Sequence, residues 1–132
     1  MRIAAVSEDG VTISQHFGRA PFYVVVTVED GKVISRERRD KLGHAHFAGE
    51  PHGEERDPRG HGFDPAAQDR HARMSTAIAD CEVLLARGMG AGAYQSLEQA
   101  GIRPIITDIS TIDEAVQAYL AGSIADHTER LH

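Results

Sequence analysis

The chain has 132 residues, 41% of them apolar, and a formal charge of −6. That length suffices for one domain with a real core, and that composition excludes global disorder. The acidic balance lacks the basic stripe that displaces counterions, so nucleic acid is not an expected partner.

In chain order, Ile3 to Val6 is a short, wholly apolar run, as expected of a central strand covered on both faces. The run is too short for a signal peptide or a membrane span, so the expected location is the cytoplasm, with no membrane partner. Glu8-Asp9-Gly10 ends it, and a loop through Ser14-Gln15-His16-Phe17-Gly18-Arg19-Ala20 follows. Phe22 to Val28 is rich in Val, Phe and Tyr and predicts a strand. Asp30-Gly31 between apolar runs signals a type I′ hairpin returning along Val33 to Arg39, whose charged end suits a sheet edge.

The pattern then dissolves from about Asp40 to Phe63, a stretch of glycine, proline and charge with too little apolar surface to offset its ordering entropy. A mobile loop is expected there. Of the eight histidines, His44, His46, His52, His61 and His71 fall in or just after it.

Order returns at Asp64-Pro65, an N-cap and first-turn proline, with Ala67, His71, Met74 and Ile78 on one face of a helix ending near Asp80. Cys81 to Ala86 reads as a buried strand. Cys81 is the one cysteine, which excludes an internal disulfide and fits a reducing compartment. Gly88-Met89-Gly90-Ala91-Gly92 turns into a helix with Ala93, Leu97 and Ala100 inward and Gly101 as its stop. Ile102 to Thr107 predicts another strand, and Thr111-Ile112-Asp113-Glu114 a capping box for the last helix. That helix carries Ile112, Ala115, Val116, Tyr119 and Leu120 on its apolar stripe; the polar tail from Ser123 is expected to fray. The order β-β-β-α-β-α-β-α implies one α/β domain with a mixed sheet and helices on its faces.

Several of these pieces carry a family likeness. Ile3-Ala4-Ala5-Val6, His16-Phe17-Gly18-Arg19-Ala20-Pro21-Phe22, the run Asp80 to Gly90, Gly101-Ile102, and Ala115 with Tyr119-Leu120-Ala121-Gly122 recur in order and spacing. In them the chain resembles the dinitrogenase iron–molybdenum cofactor biosynthesis family, the NifX-like proteins and the C-terminal domain of NifB-type proteins. The resemblance implies a ribonuclease H-like three-layer fold, binding of an iron–molybdenum-type or iron–sulfur cluster or its precursor, and metallocofactor assembly proteins as partners. The His-rich stretch is longer and richer in histidine than the family pattern.

The chemistry divides by residue. Sequence alone makes His16 a surface histidine, whereas the resemblance places cluster contact there, and imidazole is a borderline ligand that can dissociate. Cys81 reads as a small buried hydrophobe or as a thiolate contact; a stable iron–sulfur site uses about four such ligands, so one favours transient carriage. Gly88 and Gly90 open a helix whose free N–H groups suit an anion, beside the plainer role of a tight turn; the spacing departs from a dinucleotide fingerprint. His44, His46, His52, His61 and His71 would suit a divalent metal, or simply a solvated loop. The first strand carries no acid of the kind two-metal nucleases place there, so a nuclease is set aside. The expectation is therefore a non-enzymatic cluster carrier or storage protein. A metal-responsive regulatory protein, binding a divalent ion through the His-rich stretch, is the alternative.

Overall fold

A computed structural model describes residues 1–41 and 73–131. Five strands form one mixed sheet: β1 (Arg2–Ser7), β2 (Phe22–Glu29), β3 (Lys32–Asp40), β4 (Val83–Ala86) and β5 (Arg103–Ile106), in the spatial order β3-β2-β1-β4-β5. β1 and β2 are antiparallel, as are β2 and β3, whereas β4 runs parallel to β1 and β5 parallel to β4. The parallel core explains the unbroken apolar runs: Ile3 to Val6 and Val83 to Ala86 are all buried, because helices cover both faces.

The hairpin forms as its turn residues require. Asp30 and Gly31 have φ of 53° and 74°, both left-handed, which gives the type I′ twist that matches paired strands. Val28 faces Val33 and Glu29 faces Lys32, with an irregularity between Thr27 and Val28. β3 is the sheet edge, exposed along nearly its whole length and studded with Arg and Glu.

Side-chain alternation along β2 separates two layers. Tyr23 donates its hydroxyl to the Met74 carbonyl at 3.0 Å, tying one face to helical residues 73–77. Arg39 bridges the same way, to the Ala77 carbonyl and, at 2.6 and 3.0 Å, to the Asp80 carboxylate. On the other face Arg36 pairs with Asp113 at the start of α2 (Ile112–Leu120).

α1 (Ala91–Gln99) ends in a Schellman cap: Ile102 N–H donates to the Leu97 carbonyl and Gly101 N–H to that of Glu98, both at 3.0 Å. α2 starts on Thr111, whose hydroxyl oxygen accepts from Glu114 N–H. The Glu114 carboxylate accepts from that same hydroxyl, so the reciprocal bond differs from the expected capping box.

Three expectations need correction. The strand begins at Val83 rather than Cys81, because Cys81 N–H still bonds back to Ile78 in the preceding turn. Ala100 is the exposed C-cap of α1, so the inward face holds Ala93 and Leu97 without it. The tail does not fray: Asp126 accepts from Ile106 N–H at 2.9 Å and from the Tyr94 hydroxyl at 3.0 Å. His127 N–H then donates to the Ile106 carbonyl at 2.8 Å, and Leu131 bridges to Met89. The expected mobile loop lies largely outside the described residues, although Asp40 still belongs to β3 and Lys41 is buried.

Candidate functional site at the C-terminal edge of the sheet

β1, β4 and β5 are parallel, so the segments leaving their C-terminal ends share one edge of the sheet. Backbone bonds join two of these segments. Phe17 N–H donates to the Gly88 carbonyl at 3.1 Å, and Arg87 N–H donates to the Ser14 carbonyl at 3.0 Å. The approach is so close that a Cβ on Gly88 would lie 2.5 Å from the Gln15 carbonyl oxygen. His16 and Gly88 thus lie together, one on each side of this seam.

The loop that carries His16 is rigidly built. Ser14 Oγ accepts from His16 N–H at 3.1 Å, and Arg19 and Ala20 N–H both donate to the His16 carbonyl at 3.0 Å. Phe17 is buried beneath, while His16 itself is exposed and its ring has no hydrogen-bond partner among the described residues. The imidazole is therefore presented to solvent on a fixed backbone.

Below it lies a residue the sequence reading missed. Lys41 is only 3% exposed; its ammonium donates to the Phe17 carbonyl and sits 4.4 Å from the centre of the Phe17 ring. Burial pushes its pKa down to about 8. A charged residue where an irregular segment begins carries no sequence signal of such burial.

Gly90 is the N-cap of α1 and brings no side-chain cap. The first helical bond runs from Tyr94 N–H to the Gly90 carbonyl, so the N–H groups of residues 91–93 are left without partners inside the helix. Arg87, between the strand and this turn, is the second omission. Its Nε is buried without a hydrogen-bond partner among the described residues.

Cys81 does not join this group. It precedes β4, whereas Gly88 follows it, which separates the two by roughly 20 Å at strand rise. Burial, and next the Asp80 carboxylate 3.7 Å from Sγ, push the thiol up to about 12, which disfavours a thiolate. Asp80 itself is held down at about 2, first by its hydrogen bonds from Arg39. His127, in the tail, comes instead to the working edge. Its Nδ1 lies 3.0 Å from Glu129 and its Nε2 3.7 Å from Asp108, just past β5. His44, His46, His52, His61 and His71 lie outside the described residues. Among the described residues no three His, Cys, Asp or Glu side chains gather to hold a bare metal ion.

Residues 1–122 match the family described as dinitrogenase iron–molybdenum cofactor. No curated protein matches the sequence. Among solved structures, the apo form of the orange protein from Desulfovibrio gigas is 23% identical over 95% of this chain and 91% of its own, with a TM-score of 0.63. A Thermotoga protein provisionally described as NifB is 22% identical over 96% and 93%, with a TM-score of 0.56. A Methanocaldococcus jannaschii protein provisionally described as a dinitrogenase shares 12% identity over 95% and 92%, with a TM-score of 0.62. At these identities the likeness is one of fold.

Proposed function

Because the chain belongs to the dinitrogenase iron–molybdenum cofactor family, we propose that it binds and carries, or stores, an iron–molybdenum-type or iron–sulfur cluster or a precursor of one. It does so as a non-catalytic partner of cofactor-assembly proteins. The observation that carries this reading is the seam between the His16 loop and the Gly88 turn, with an exposed imidazole on one side and, on the other, helix N–H groups that have no partner inside the helix. An exposed imidazole can ligate iron or molybdenum and let go again, and backbone donors favour the negative charge such clusters carry. One imidazole with backbone donors is a grip suited to transfer. The orange protein's apo form, similar in fold, supports the same direction.

A ribonuclease H-like assignment belongs to the same reading. The order β3-β2-β1-β4-β5, antiparallel on one side of β1 and parallel on the other, supports it. The test is anaerobic reconstitution with iron and sulfide, followed by visible charge-transfer absorption. Wild type should take up cluster, and His16→Ala should bind about 1–3 kcal/mol more weakly. Lys32→Ala, at the far end of the hairpin, should match wild type. Equal affinity for His16→Ala and Lys32→Ala, with circular dichroism unchanged, would remove His16 from the site.

A further inference from the structure

We propose that the segment Asp126–Leu131 is a strap laid across the carrying edge, one that must lift before cargo settles there. The inference rests on the carrier reading above and supplies the regulation of that same site.

The strap's course follows from its contacts. At β5 the Asp126 carboxylate accepts from the Ile106 N–H at 2.9 Å and from the Tyr94 hydroxyl at 3.0 Å. The His127 N–H donates to the Ile106 carbonyl at 2.8 Å, and the His127 ring stands between Glu129 and Asp108, just past β5. One 3-10 turn, Thr128–Arg130, then brings Leu131 alongside Met89. Met89 follows Gly88, whose carbonyl accepts from Phe17 N–H in the seam. The strap thus runs from the end of β5 to the turn after β4 and finishes one residue from the seam. It lies wholly beyond residues 1–122, so the pattern shared by the family does not account for it.

Such a segment opens without unfolding the sheet. No residue from Ser123 to Leu131 is fully buried, whereas Met89 beside it is 1% exposed. Ile124 and Leu131 pack only in part against the core. The strap is held chiefly by polar bonds that water replaces once it lifts, which places it at the low-stability end of the molecule. Its charge also opposes loading. Asp126 and Glu129 bring two carboxylates against the one Arg130 to an edge proposed to hold a negatively charged cluster. Closed strap and loaded edge therefore disfavour each other. Cargo that binds only the open form is held less tightly in proportion to the fraction of molecules that are open.

The test uses Tyr94→Phe, which removes the hydroxyl from Asp126, Leu131→Ala, which trims the contact beside Met89, and the two together. Neither touches the Ile106 bonds. Amide exchange in the Gly88–Gly90 turn is measured without cargo, and cluster affinity by anaerobic iron–sulfide reconstitution. In the double variant exchange in that turn should quicken relative to wild type, and more than exchange at Ala5 in β1 does. Cluster should bind more tightly by the same factor, roughly three- to tenfold. A role confined to stabilising the fold would not raise affinity as bonds are removed.

Faster exchange in the turn with affinity equal to or below wild type overturns the strap's control and leaves the carrier reading standing. Exchange in the turn unaltered by both substitutions overturns the strap itself. No cluster uptake by wild type or any variant removes the carrier reading. Exchange alone then decides the strap: acceleration keeps it as a cover of the turn, and none removes it as well.

Discussion

At Gly88 the chain leaves no room for a side chain, because the Gln15 carbonyl occupies the space a Cβ would need. The obstacle is backbone, held by the bonds on either side of the seam, so it cannot rotate away. Gly88→Ala should therefore lower stability by roughly 1–3 kcal/mol, read as a reduced urea midpoint at constant slope. A midpoint equal to wild type would mean that the His16 loop yields freely. Lys41 makes a second residue-scale prediction. Its folded pKa is pushed down to about 8 from the ordinary 10.5 by burial. Between those values the unfolded chain binds more protons than the native one, so this group makes stability rise with pH. Below about pH 8 the burial penalty on the ammonium is present in full. Measured against Lys41→Met, wild type should gain up to about 3 kcal/mol on going from pH 8 to pH 10.5. Parallel stability curves for the two proteins would show that the ammonium is not desolvated in solution.

Among the elements, those with local chemistry were legible in the sequence. Asp30-Gly31 specifies its turn through two left-handed residues, Thr111 caps α2, and the apolar run of β1 reports burial on both faces. The tail was not legible, because its bonds join residues far apart in sequence. Asp126 reaches Ile106 and Tyr94, and nothing in a polar stretch marks a carboxylate as the partner of a strand's N–H. The site was half legible. His16 came from the resemblance and Gly88 from the turn into a helix N-terminus, and strand direction places them together. The same rule should have set Cys81 apart, since a residue before a parallel strand lies at the opposite edge from one after it. Asp126→Ala tests the tail as an element. It should cost about 1–3 kcal/mol and speed amide exchange at Ile106 more than at Ala5 in the central strand. Unaltered exchange at Ile106 would show that the carboxylate does not hold the strand's edge.

Across the whole molecule the two ends of the sheet are finished differently. β3 is fenced by its own charges, whereas β5 is finished by a later part of the chain. On β5 Pro104 has no N–H to offer, Asp126 takes the Ile106 N–H, and His127 takes the Ile106 carbonyl. The family match stops at residue 122, before either of those two residues. A chain cut after Gly122 would keep all five strands and α2, yet expose the Ile106 donor and acceptor as a template for another strand. Such a chain should self-associate as its concentration rises, visible as growing mass in sedimentation, while the longer chain does not. During synthesis the same logic sets an interval: the sheet is complete in composition before the segment that closes it has emerged. Asp126 and His127 thus occupy the donor and acceptor through which β5 would otherwise recruit another strand.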